Sequence, residues 1–346
     1  MKKRQGLKSI FKIIAVSALV FVLLFVGKYY KQVSYGIGQL YGQFGIITNT
    51  KSIEEYLNSG DLSSEHKLKL ELVGEVKSFA EDSLGLNPTD NYTTVFDQKG
   101  QDILWNVTAS KKFELESYEW DFPLVGSFSY KGFFNYDLAK EEYQRRLEDD
   151  LDVRLSPVSA WSTLGMFRDP ILSNMLDRSM GDLAELIIHE MTHATLYVKD
   201  DVEFNENLAT FIGEKGAMQF LRYYVGKEHE VYTDYIREKE MERWWIDYVM
   251  RGAENLDSLY MGISDYDVDY KYILKSAYIT LFVENANIER ESRGLSEFLS
   301  DSTYINNTYF LAYRRYHGGQ EVLDSLYNTQ FNEDFEQMLN YYRIRY

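Results

Sequence analysis

The sequence predicts a mostly α-helical protein with a small β section, an α+β fold whose chemistry sits on a pair of helices. Three observations carry that expectation. From Pro170 to the C-terminus, apolar residues recur almost throughout at helical spacing. Between Tyr92 and Phe134 the chain runs instead through segments rich in aromatic and β-branched residues. Only four prolines interrupt the 346 residues, and no low-complexity linker or internal repeat divides them.

The first fifty residues stand apart by charge. They hold seven basic side chains (Lys2, Lys3, Arg4, Lys8, Lys12, Lys28 and Lys31) and no acidic one, leaving 30 basic against 54 acidic residues in the rest, a net of −24. Residues 1–9 read as a cytoplasmic basic tail and residues 10–28 as a membrane anchor. Ile10 to Gly27 spans about 27 Å as a helix at ~1.5 Å per residue, close to a bilayer core of about 30 Å, with Lys12 reaching back toward the headgroups. A cleaved signal peptide is the competing reading, but its apolar region is about 7–15 residues and Ser34-Tyr35-Gly36 is a poor cleavage site. A buried core helix is disfavoured because the run is apolar on every face. Positive charge inside leaves residues 30–346 outside the cytoplasm, periplasmic or extracellular.

Within that body, Ile53 to Leu84 has a helical pattern that Asn87-Pro88 ends. Two to four strands are expected from Tyr92 to Phe134, with a turn at Asp97-Gln98-Lys99-Gly100. Leu138 to Leu151 reads as a charged helix, and Pro157 to Phe167 as extended or irregular. A helical C-terminal subdomain is expected to begin near Glu230.

Composition removes several function classes. An acidic body is a poor partner for nucleic acid. Zero cysteine rules out disulfides, thiolate zinc sites, iron–sulfur clusters, cysteine nucleophiles and acylated lipoprotein anchors. At 45% hydrophobic and 16% aromatic residues the chain is not disordered.

The chemistry concentrates in residues 181–217. His189-Glu190-Met191-Thr192-His193 lies in a run of helical period, with Asp182 and Glu185 resembling a capping pair. Histidines four apart share one helix face and can bind one Zn²⁺. Glu190 then points beside the metal, where it can hold a water and take its proton. A catalytic zinc needs a third protein ligand, and a second helix supplies Glu206 after a gap of twelve residues from His193. Glu203 and Glu214 are the rival ligands, and Asn205 is placed to orient one. Tyr313, Tyr316, His317 and His229 are available as oxyanion donors, while Glu185, Glu203 and Glu214 are available to pair with a substrate amine. His66, in a charged helix, reads as simply exposed, and Ala160 to Phe167 reads as either a core strand or a strand that pairs with peptide substrate.

These residues resemble the gluzincin metallopeptidases, in which two histidines and a downstream glutamate bind zinc. The twelve-residue gap resembles more closely a bacterial family known as predicted aminopeptidases. Its Tyr-Val-Lys-Asp-Asp stretch is similar to Tyr197–Asp201, its Phe-Asn-Glu to Phe204-Asn205-Glu206, and its Ala-Thr-Phe-x-Gly-Glu to Ala209–Glu214. Further similarities are Val125-Gly126 to Phe134, Ser162-Thr163-Leu164-Gly165 with Asp169-Pro170, and Asn306-Asn307. Many relatives carry a lipoprotein cysteine where this chain has Gly27-Lys28. The resemblance implies a zincin-like helix pair and a membrane-anchored zinc aminopeptidase acting on peptides, with an endopeptidase or a non-catalytic envelope binding protein as alternatives. An acidic body is expected to favour basic or neutral peptides.

Overall fold

The computed structural model describes residues 2–58, 62–122, 126–158, 168–295 and 305–346. Helix α1 (Lys2–Lys28) contains an 18-residue stretch, Phe11–Lys28, with mean hydropathy 2.2 and none of it buried, long and apolar enough to cross a membrane. A membrane span and a signal sequence both have that character. Helix α2 (Tyr30–Thr48), a second helix not expected from the sequence, joins α1 to the body. Its Tyr35 hydroxyl and Gln39 amide both donate to the Gly132 carbonyl, at 2.7 and 2.8 Å.

Strand β1 (Lys51–Ser52) leads into α3 (Ile53–Leu57), started by a capping box between Ser52 and Glu55. Helix α4 (Ser64–Leu84) follows and ends at Gly85, whose φ of +69° is left-handed. The pattern from Ile53 to Leu84 is therefore two helices, each with its own serine cap.

Among the described residues, five strands occupy the aromatic stretch, more than the two to four expected: β2 (Thr94–Phe96), β3 (Trp105–Ser110), β4 (Trp120–Phe122), β5 (Gly126–Phe128) and β6 (Tyr130–Phe133). Strand β4 pairs antiparallel with β5, which starts at Gly126 with φ +100°, a conformation that favours glycine. After α5 (Tyr136–Glu148), β7 (Asp152–Pro157) pairs antiparallel with β3, so β3 lies between β6 and β7. Strand β8 (Ile171–Leu172) pairs parallel with β2, which also carries β1. The expected turn is present, with the Lys99 amide donating to the Asp97 carboxylate at 2.9 Å.

From there the chain is helical: α6 (Met180–Thr195), α7 (Val202–Tyr224), α8 (Glu230–Gly262), α9 (Val268–Ser292), α10 (Asn307–His317), α11 (Gln320–Thr329) and α12 (Phe335–Arg345). The fold is thus mostly α with small sheets, as the periodicity predicted. Ser162 to Gly165, Val125 and the Ala160–Phe167 segment lie outside the described residues.

Three apolar clusters organise these elements. The largest gathers α4, α6, α7, α11 and α12 around buried Leu183, Ile187, Ile212, Phe220 and Met338. A second joins α8, α9 and α10 through Val249, Leu256, Phe282 and Phe310. The third lies between the β6-β3-β7 sheet and α5. The second and third meet at a buried polar hub. Asp152 accepts from Lys275 Nζ at 2.5 Å and from the Asn307 amide at 2.9 Å. The Asn307 side chain donates to the carbonyls of Lys111 and Glu114 and accepts from the Tyr260 hydroxyl. Asn306 caps α10 and donates to the Val153 carbonyl. The Asn-Asn pair is therefore a structural junction.

Candidate metal centre

Helix α6 starts at Ser179, whose hydroxyl accepts from the Asp182 amide at 3.1 Å and donates to the Asp182 carboxylate at 2.9 Å. Asp182 thus acts within the cap, while Glu185 has no part in it. Helix α7 returns along α6, and Gly213 lets the two approach. A Cβ at Gly213 would lie 3.0 Å from the Glu185 carbonyl and 3.2 Å from the His189 Cβ. The turn between the helices is fixed by Asn205, which accepts from the Val198 amide at 2.8 Å and donates to the Val198 carbonyl at 2.7 Å. Asn205 therefore bonds the turn backbone, not the histidine or carboxylate it was expected to orient, and Asp201 caps the start of α7 through the Phe204 amide.

That start delivers Glu206 to the two histidines. His189 Nε2 and His193 Nε2 are 3.1 Å apart, and Glu206 Oε2 lies 3.4 Å from the first and 3.7 Å from the second. An ion about 2.0–2.1 Å from each nitrogen at tetrahedral angles separates its ligand atoms by roughly 3.4 Å. The three donors fit a small divalent metal, and their imidazole and carboxylate chemistry suits one. Burial opposes charge on Glu206, yet hydrogen bonds from His189 and His193 outweigh it and hold that carboxyl far below the carboxylate range. Burial likewise opposes charge on His189, but Glu206 and then Glu190 raise it.

Glu190 is buried beside them, and its Oε2 has no hydrogen-bond partner. Buried polar atoms without partners are rare and mark places where a missing group belongs. The Tyr92 hydroxyl behind it is also buried and unpartnered; burial raises its pKa first, and Glu190 is the leading charge acting on it.

Three tyrosines ring the open side. Tyr130, Tyr197 and Tyr316 are 37%, 42% and 37% exposed. Each phenol is pushed upward, first by burial and then by the charge of Glu206. Tyr316 was among the residues the sequence offered; Tyr130 and Tyr197 were missed, although both fall in stretches of family resemblance. The other offered donors are elsewhere. Tyr313 accepts from Trp245 Nε1 at 2.9 Å in the second cluster, and His229 caps α8. His317 is held below its usual value by burial, beside Glu242 and Lys239. His66 is half-buried and paired with Asp177 at 3.0 Å, so it is not simply exposed.

The candidate amine-binding carboxylates also separate. Glu185 accepts from the Tyr235 hydroxyl at 2.5 Å and from Lys239 Nζ at 2.7 Å. Glu214 lies 3.7 Å from Arg243, and burial followed by Glu185 raises its pKa. Glu203 is exposed on the first turn of α7 and pairs with no cation among the described residues.

Sequence reasoning also missed Asn207. Buried next to Glu206, it donates to the Arg315 carbonyl at 2.8 Å and accepts from the Gly319 amide at 2.8 Å. It fastens the end of α10 to the metal-site helix. A family model described as "Putative aminopeptidase" matches residues 34–343. No curated protein and no solved structure matches the chain.

Proposed function

This chain belongs to the family described as putative aminopeptidases, and from that premise we propose that it is a zinc-dependent aminopeptidase with its body on the outer side of a membrane. The observation that carries the reading is the convergence of His189, His193 and Glu206 next to the unpartnered carboxylate oxygen of Glu190. His189, His193 and Glu206 would hold the zinc. A zinc ion there would supply a Lewis acid for the scissile carbonyl and make water acidic enough to attack near neutral pH. Glu190 takes the proton of the attacking water and passes it to the leaving amine. Tyr316, kept protonated by burial and Glu206, donates its O–H to the developing oxyanion. The helix pair is of the gluzincin type. Residues 1–9 form the cytoplasmic tail, residues 10–28 the anchor and residues 30–346 the catalytic body, with helical subdomain from about 230.

One observation favours endopeptidase action as the second reading. Two of the three candidate amine-binding carboxylates, Glu185 and Glu214, already have cation partners, which leaves Glu203 to meet a substrate amine. The test is a peptide-library digest by the full chain loaded with zinc, with products read by mass. Removal of single N-terminal residues, stopped by a chelator, is the expected result. Internal cuts would replace the aminopeptidase reading by the second one. Protein that neither holds zinc nor is stabilised by it would sink both.

A further inference from the structure

Arg314 and Arg315 are neighbours on the last turn of α10 with opposite surroundings. Arg314 is ion-paired with Asp257. Arg315 has no carboxylate within 4.0 Å among the described residues, in a body whose acidic groups greatly outnumber its basic ones. Its guanidinium donates to the Ser129 hydroxyl at 3.1 Å and lies 6.0 Å from the centre of the Tyr130 ring. Its backbone is held by Asn207, the residue after Glu206, so Arg315 stands on the same wall as the metal ligands. Its charge reaches both Tyr130 and Tyr316, the two phenols that also feel Glu206 and Glu190.

A half-buried guanidinium keeps several N–H donors, and one bond to a hydroxyl leaves most of them unused. The geometry matched by its fork is a carboxylate bound through both oxygens. We propose that Arg315 receives a carboxylate of the substrate, which makes short peptides with a free C-terminal carboxylate the preferred class. Ser129 and Tyr130 hold the guanidinium in place, and the ring face shields it from water. The proposal rests on the peptidase reading above and refines it, because an enzyme that trims peptides from the amino end without reading the other end has no use for this cation.

The test compares Leu-Gly-Gly with its C-terminal amide, and Glu-arylamide with Leu-arylamide, using the zinc-loaded full chain. Wild type is expected to prefer the free acid over the amide by about 10- to 100-fold in kcat/KM, the range of a charge-assisted hydrogen-bond pair. In Arg315→Gln that ratio, measured within one protein, is expected to fall toward one, and Arg315→Lys should keep part of it. A preference that moves only in the arylamide pair would assign Arg315 to an acidic side chain and overturn the C-terminal assignment. An unchanged acid-to-amide ratio in Arg315→Gln would overturn the site altogether. Calorimetric binding of the same acid and amide to Glu190→Gln reads the preference without turnover. Wild-type protein that hydrolyses none of these substrates, together with selective binding of the acid, would refute the peptidase reading and leave the carboxylate site standing.

Discussion

Two buried polar clusters in this molecule are built from similar parts and finished differently. At Asp152, an acid, two lysines and an asparagine satisfy one another and four backbone groups around them. At His189, two imidazoles and two acids converge, and two buried atoms, Glu190 Oε2 and His193 Nδ1, have no partner. A cluster that completes its own hydrogen bonds holds elements together. A cluster left incomplete is shaped for something brought from outside, and its residual cost must be offset by the rest of the fold.

Substitutions at the two clusters should therefore fail in different assays. Glu190→Gln gives the largest expected effect, a loss of about 10²- to 10⁴-fold in kcat/KM, the usual contribution of a general base. Zinc measured by elemental analysis should stay near one per chain, and an active mutant with metal retained would remove Glu190 from the mechanism. Asp152→Asn should do the reverse. Leaving Lys275 buried and Lys112 half-buried without their acid is expected to cost about 3–5 kcal/mol in urea unfolding, while metal binding by the folded fraction persists. Asn207→Ala lies between the two classes, because it touches α10 and the metal-site helix together. It is expected to cost about 1–3 kcal/mol and to weaken turnover with it; a change in one without the other would place Asn207 in a single cluster.

The smallest expected effect comes from a third, fully paired acid. Glu142 under the β6-β3-β7 sheet is buried, and burial opposes its charge. Trp120 Nε1–H, Lys131 and Arg146 outweigh burial and hold it below the ordinary value of 4.5. A carboxyl depressed on folding adds stability that is complete above that ordinary value and is lost as pH falls through the folded one. Glu142→Gln should therefore lower stability by about 1–2 kcal/mol at pH 7, with the gap between the melting curves closing as the pH drops below 4.5. A gap that stays constant into acid would mean that Glu142 acts by shape alone.

The helices and the convergence of His189, His193 and Glu206 were legible in the sequence for a local reason. His189, His193 and Glu206 sit on two helices whose register follows from 3.6-residue periodicity. Sheet partners were less legible. Strands β1 and β8 are two residues long, and these and β7 pair over long sequence distances, which no local pattern encodes. The rim of the site was illegible for a related cause. Tyr130 comes from the start of β6, Tyr197 from the interhelix turn and Tyr316 from α10, and among 29 tyrosines only the folded chain brings these together. Asn205 could be seen as important, but its partner is a backbone seven residues back, so its task could not be read from its type.

The two bonds of Asn207 have a thermal consequence. They are the stitches between a helix rooted in the largest apolar cluster and a helix rooted in the second. Cooperative units open in order of their own stability. If the α8–α10 layer loosens first on warming, Tyr316 and Arg315 drift away while His189, His193 and Glu206 remain assembled. Such a molecule would become indiscriminate before it became inert, and the acid-to-amide ratio followed along a temperature ramp would report the parting of the seam ahead of any loss of metal.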